Sequence, residues 1–144
     1  ARGITAVFAN EAVSHAQKET VSNLLAAVGK VIWLETEDQI DLVTGVSGSG
    51  PAYVFWLAEC LAEAGRAAGL PEELARQLAE ATVSGAGELM HLSDDTPTTL
   101  RQNVTSPNGT TAAALDVLMA GDGLEPLMTK AVAAAVNRAR ELAE

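Results

Sequence analysis

The residues of this chain best suited to chemistry lie together in SPNGTT, Ser106 to Thr111. Pro107 fixes φ, and the Asn108-Gly109 pair tolerates positive φ. Two threonines then open an alanine- and leucine-rich stretch that reads as a helix. The first turn of a helix leaves several N–H groups without internal partners, and the helix dipole adds positive potential there. Such a start binds anions, with a gain of about 0.3–1 kcal/mol when exposed and up to about 2 kcal/mol when partly buried. The same residues also suit an ordinary junction, in which Thr105 or Ser106 caps the helix and nothing binds. Spacing alone leaves both readings open.

A second stretch, VTGVSGSGPAYVF from Val43 to Phe55, places Gly45, Gly48 and Gly50 just before Pro51. Glycines so close together either break a helix and let backbones pack closely or offer a bare backbone surface to a flat ligand. The spacing is not G-x-G-x-x-G, and the stretch follows a helical pattern, so it is no dinucleotide fingerprint. His15 and His91 have no metal-spaced partners and read as surface or capping residues, leaving no metal site. Glu59, Glu63, Glu72 and Glu80 read as solvated helix faces, with no carboxylate pair in an apolar setting to run acid–base chemistry. Cys60, in the apolar run FWLAECLAEAG, reads as a buried thiol. As the single cysteine it forms no internal disulfide, which fits a reducing, cytoplasmic compartment.

The elements that hold these residues follow from composition and punctuation. At 144 residues, the chain is one domain, or one domain and a piece of another. It is 48% hydrophobic but only 3% aromatic, so alanine, leucine and valine build a core suited to helices in close approach. A net charge of −10 without any Lys/Arg block argues against nucleic acid and anionic membranes as partners. In that field a small anionic ligand needs a local positive feature. No apolar run approaches the roughly 18 residues of a membrane span. The start, ARGITAVFANEAV, runs straight into a strand-like segment, as a fragment of something larger would.

Ile4–Ala9 reads as a strand, SHAQKETVSNLLAAVG as a helix from Ser14 closed by Gly29, and KVIWLE as a second strand. After Glu37 nearly everything reads as helix. Asp38–Val46 is interrupted by SGSGP, and Pro51–Ala68 ends at Gly69. Pro71 takes the first helical position of a helix striped with Leu74, Leu78, Ala81, Gly85, Leu89 and Leu92. Thr96-Pro97 is an N-cap pair opening a short helix through Gln102. A helix to about Ala120 and a last helix striped with Leu124, Met128, Val132, Ala135, Ala139 and Leu142 complete the chain. The fold class is mainly α, with a strand–helix–strand α/β remnant over 1–36 and an all-helical domain over 37–144.

The two glycine-bearing stretches, VTGVSGSGPAYVF and then LRQNVTSPNGTTAAAL, with AVGKVIWLE and AGLPEELA in the same order, closely resemble the carboxy-terminal part of 1-pyrroline-5-carboxylate reductase. The resemblance covers essentially the whole chain. Where that family often has Gly-Gly after the proline, this chain has Asn108-Gly109, a change that the left-handed tolerance of asparagine accommodates. The family's amino-terminal Rossmann-like domain, with its Gly-rich turn, has no counterpart here beyond its last strands.

The resemblance implies a reaction: reduction of the cyclic imine 1-pyrroline-5-carboxylate to proline, the last step of proline biosynthesis, with hydride from NADPH or NADH. It implies an interlocked homodimer through the helical domain, larger rings of dimers, and substrate held between helical and nucleotide domains. It places the substrate carboxylate on N–H groups around Asn108, Gly109, Thr110 and Thr111, with Ser106 in the same pocket. The Thr111 hydroxyl faces the imine nitrogen as the catalytic donor. Asn103 lies toward the nicotinamide, and Ser47 and Gly48, in the Ser47–Pro51 segment, lie near the cofactor and partner subunit. Without the Gly-rich turn, this chain alone is expected to bind NADPH poorly and to show no turnover. Two alternatives remain: a non-enzymatic helical dimerisation scaffold, and the helical domain of a related imine or β-hydroxyacid reductase. The apolar helix surface itself also points to a dimer, since it exceeds what one chain of this length comfortably covers.

Overall fold

The computed structural model describes residues 2–143 of the chain. It divides into two compact units, one of Ala1–Gly50 with Lys130–Glu144 and one of Pro51–Thr129. In the first, strand β1 (Gly3–Val7), helix α1 (His15–Leu25) and strand β2 (Gly29–Trp33) make a parallel pair in the register Gly3↔Gly29 to Val7↔Trp33. Parallel pairing requires a crossover, and α1 is that crossover. It begins with a capping box in which the Ser14 N–H donates to Gln17 Oε1 at 2.8 Å and the Gln17 N–H to Ser14 Oγ at 3.4 Å. Trp33 is tied back to α1 by its indole N–H, which donates to Ser22 Oγ at 2.9 Å, while Lys18 Nζ lies 5.4 Å from the centre of its rings.

Gly29 does not close α1, which ends at Leu25. It opens β2 instead, at φ +156°, and a Cβ there would collide with the backbone of Gly3. The glycine serves the close approach of two strand starts rather than a helix end.

Helix α2 (Gln39–Val43) runs without a break into a π-helical turn, Thr44–Gly48, and on through Ser49, also in the right-handed helical region. The SGSGP segment therefore widens the helix locally where an interruption was expected. The defining bond is Ser49 N–H to the Thr44 carbonyl, 2.9 Å. Gly45 is buried in this turn, pressed against Val136 of helix α7 (Leu124–Ala143).

The second unit is helical. Helix α3 (Gly50–Ala67) ends in a Schellman motif: Leu70 N–H donates to the Gly65 carbonyl at 3.1 Å and Gly69 N–H to Arg66 at 3.0 Å, with Gly69 at φ +107°. Pro71 is the N-cap of α4 (Glu72–Leu92), one position before the expected one. Thr96 caps α5 (Pro97–Asn103) by accepting the Thr99 N–H at 3.2 Å, with Pro97 at the first helical position, as expected. Helix α6 (Thr110–Leu118) follows. The leucine stripe of α4 is not the face that this chain buries. Ala75 and Ala79 are buried, while Leu74, Leu78, Leu89 and Leu92 are exposed.

Candidate functional site

The link between α5 and α6 is built from the residues singled out in the sequence. The Thr105 hydroxyl donates to the Arg101 carbonyl at 2.6 Å and so closes α5 rather than capping α6. Ser106 does not cap α6 either. Its carbonyl accepts the Gly109 N–H at 3.0 Å, forming a four-residue turn with Pro107 and Asn108 at the centre. Proline second and positive φ third is the type II pattern. The positive φ falls on Asn108, at +58°, and it is the one non-glycine residue in that region among those described. Gly109 is extended, φ −85° and ψ 176°, and a Cβ there would make a tight contact, 3.1 Å from the Ser106 carbonyl oxygen.

Gly109 is the N-cap of α6, and a glycine has no side chain with which to cap. Its carbonyl starts the helix by accepting the Ala113 N–H at 3.2 Å. The Gly109 N–H is engaged in the turn, so the donors left at the mouth are the N–H groups of Thr110, Thr111 and Ala112 with the two threonine hydroxyls. Both threonines are exposed. Asn103, the last residue of α5, is exposed too, as are Ser106 and Asn108. The stretch from Asn103 to Thr111 thus presents neutral donors and no ionisable group. Beside it, Arg101, Gln102, Thr105, Ala112, Leu115, Asp116 and Met119 line an open depression of about 250 Å³ between α5 and α6.

Ser47 and Gly48 belong to the first unit. Ser47 is half-buried and Gly48 exposed in the π-helical turn. The three glycines here differ in what they do. Gly45 is demanded by close packing, since a Cβ would lie 2.6 Å from Val136 Cγ2. At Gly48 the nearest atom to such a Cβ is 3.6 Å away, an ordinary contact, and at Gly50 nothing lies within 4 Å. Close backbone packing is therefore real at one of the three.

Among the described residues no group of three His, Cys, Asp or Glu is placed to hold a metal. His15 lies 3.7 Å from Glu19 on the surface of α1, and His91 sits in the last turn of α4. The carboxylates displaced from their ordinary acidity, Glu63 and Glu73, are on exposed helix faces, held low by hydrogen bonds from Arg66 and Arg76. Cys60 was expected to be buried and is exposed, on a face of α3 that also carries Trp56, Glu59, Glu63, Ala64 and Ala67 around an open depression. Among the described residues, no helix is long and apolar enough to cross a membrane.

Comparison with known proteins adds an independent line. Residues 37–142 match the family model described as pyrroline-5-carboxylate reductase dimerisation. A pyrroline-5-carboxylate reductase of Pseudomonas aeruginosa is 47% identical over 143 residues, which is 99% of this chain and 52% of that protein. The Arabidopsis thaliana reductase is 48% identical over 124 residues, 86% of this chain and 44% of that one. Among solved structures, a Coxiella burnetii reductase superposes with a TM-score of 0.88 at 47% identity, over 96% of this chain and 51% of that one. A Plasmodium falciparum pyrroline carboxylate reductase with NADP bound gives 0.76 at 30% identity, over 96% and 53%. The chain spans about half the length of the curated relatives it matches.

Proposed function

The chain belongs to the pyrroline-5-carboxylate reductase dimerisation family, and on that footing we propose that it is the substrate-binding and dimerising part of an NAD(P)H-dependent reductase of 1-pyrroline-5-carboxylate. The observation that carries the proposal is the mouth of α6: a turn that ends on an uncapped glycine, followed by two exposed threonines. The substrate carboxylate rests on the N–H groups of Thr110 and Thr111, where the helix dipole favours it. Gly109 contributes the absence of a side chain, and Asn108 and Ser106 set the turn that aims the donors. The Thr111 hydroxyl donates a hydrogen bond or proton to the imine nitrogen as negative charge develops there.

The cofactor, NADPH or NADH, supplies the hydride when bound. Ser47 and Gly48 are assigned to its surroundings in the first unit, where the open space at Gly48 fits a close approach. Asn103 is assigned to the nicotinamide in the second. What remains for the protein is to hold the imine carbon in a reactive pose, which explains a site without paired carboxylates or metal ligands. The functional division falls at Glu37, with 1–36 the tail of a nucleotide-binding domain and 37–144 the helical domain. The functional unit is a cytoplasmic homodimer that also assembles into rings.

The test is Thr111→Ala in a protein that also supplies the nucleotide-binding half. The variant should keep its dimer and lose on the order of a hundredfold in rate, with Thr111→Ser recovering most of it. An unchanged rate would leave the helical scaffold reading in its place.

A further inference from the structure

Of the five asparagines in the sequence, Asn108 alone is followed by glycine. Asparagine is a thermolabile residue, and the neighbour on its carboxyl side decides how labile. The backbone nitrogen of that neighbour attacks the side-chain Cγ and closes a five-membered imide. A glycine there has no Cβ to obstruct the approach. The other asparagines are poorly placed for this reaction. Asn23 and Asn137 lie within α1 and α7, where helical hydrogen bonding fixes the backbone, and Val104, branched at Cβ, follows Asn103. Asn10 precedes Glu11, and its Oδ1 accepts the Ala12 N–H at 3.1 Å.

The structure leaves Asn108 open to attack. The residue is exposed, it lies in the turn at φ +58°, and among the described residues none hydrogen-bonds its carboxamide. One contact stands in the way. The Gly109 N–H donates to the Ser106 carbonyl at 3.0 Å, which keeps the proton on the nitrogen and directs it toward Ser106. A single backbone hydrogen bond of this kind favours the closed turn by about tenfold. The turn therefore slows the attack by about that factor and does not prevent it.

We propose that Asn108 is a site of spontaneous deamidation, and that the acid it becomes closes the mouth of α6 to a carboxylate ligand. The Gly109 nitrogen loses its proton and bonds to Asn108 Cγ. The Cγ–Nδ2 bond breaks, and the amide nitrogen leaves as ammonia with a proton from water. Water then opens the imide. Opening at Cγ gives aspartate; opening at the backbone carbonyl leaves the chain running through Cγ as isoaspartate, one methylene longer. The sum is amide and water to acid and ammonia, with no oxidant or reductant. The stretch from Asn103 to Thr111 has no other ionisable group, so either product brings it a negative charge, one residue before the N-cap Gly109. That charge takes up the attraction of the helix dipole and repels a ligand carboxylate. In the isoaspartate form the spacing of the turn is lost as well. The inference rests on the carboxylate reading of the mouth and goes beyond it, because it gives the site a finite chemical lifetime.

The experiment ages a protein that also supplies the nucleotide-binding half, in warm buffer at and above neutral pH, beside the synthetic peptide SPNGTT. Tryptic peptides are weighed, and Gln102–Lys130 is fragmented to separate Asn108 from Asn103. Acid should appear at Asn108 ahead of every other asparagine, as two separable isomers, at a rate that rises with pH and stays within about tenfold of the peptide's. KM for 1-pyrroline-5-carboxylate should rise in step, on the order of tenfold at full conversion, from like-charge repulsion. Asn108→Asp should show a raised KM from the start, and Asn108→Gly should hold its own initial KM throughout. An Asn108 that stays an amide while the peptide converts fully would overturn the inference and leave the substrate reading standing. Conversion with KM unchanged, and Asn108→Asp equally unaffected, would overturn both.

Discussion

Gly45→Ala is the substitution whose cost the structure defines most closely. A methyl group at this position would lie 2.6 Å from Val136 Cγ2, 3.2 Å from the Val132 carbonyl oxygen and 3.4 Å from the Val136 nitrogen. Carbon atoms in ordinary contact stand about 3.5–4.0 Å apart, so the Val136 side chain must retreat by about 1 Å. The Val132 carbonyl belongs to the backbone of α7 and has little freedom to follow. Overpacking of this kind costs about 1–3 kcal/mol. Val136→Ala removes the Cγ2 that makes the worst clash. On its own it loses two buried methyl groups, at about 0.8 kcal/mol each plus a cavity contribution. The double variant should therefore be less destabilised than the sum of the singles, by about 1 kcal/mol. The assay is urea unfolding of all four proteins at one fixed concentration, so that association contributes equally, with m-values compared before stabilities are. Strict additivity, or a Gly45→Ala protein as stable as the parent, would refute the claim that this glycine is pinned against α7.

Other outcomes follow from single geometries. Asn108 sits at φ +58°, so Asn108→Ala should lower stability by about 1 kcal/mol, while Asn108→Gly should match or exceed the parent, again by urea unfolding. The Glu63 and Glu73 carboxyls are held below the ordinary carboxylate range by hydrogen bonds from Arg66 and Arg76. A folded pKa below the unfolded one adds stability that is present above the ordinary range and is lost as pH falls through the folded value. An Arg66→Gln, Arg76→Gln variant should accordingly differ from the parent near neutrality and converge with it below about pH 4. Because these pairs are exposed, the difference should be small and should shrink in high salt; a gap in Tm that persists in acid would count against the ion pairs as its source.

The parts of the fold that were legible in sequence were those whose causes are local. Thr96-Pro97 opens a helix because a hydroxyl and an imide nitrogen suffice for it, with no distant partner involved. Gly69 closes α3 because the left-handed residue of a Schellman motif is chosen by backbone sterics alone. The turn before α6 was legible for the same reason, down to a positive φ within Asn108-Gly109, though sequence did not say which of the two would carry it. What failed depended on something far along the chain. Gly29 looked like a helix end, but its role comes from Gly3 across the strand pair. SGSGP looked like a break, yet Gly45 is required by Val136, ninety-one positions away, and the helix passes through in a wider turn. Cys60 looked buried because its neighbours are apolar. The pattern of a helix states that a face must be covered, and it does not state by which chain.

Electrostatics gives a reason for the backbone anion site proposed here in this particular sequence. The chain carries a net charge of −10, and in the unit Pro51–Thr129 the arginines are already committed. Arg66 Nη2 lies 2.5 Å from Glu63 Oε1, and Arg76 reaches Glu73 and Glu80 at 2.6 Å each. Arg101 donates to Met119 Sδ at 2.7 Å, on the α5–α6 depression. A lysine placed at the mouth of α6 would meet the same competition, since a mobile cation in an acidic protein finds a carboxylate of its own. The N–H groups of Thr110 and Thr111 cannot swing away, cannot be deprotonated near neutrality, and are fixed in direction by the helix that follows them. They also leave the mouth uncharged when empty, so nothing is gained by filling it with one of the chain's own acids beyond the modest dipole interaction itself. Neutral, rigid donors are the arrangement that would keep the proposed carboxylate site selective for a ligand in a protein this acidic. The glycine cap, which gives up a side-chain hydrogen bond of its own, is what keeps those donors open.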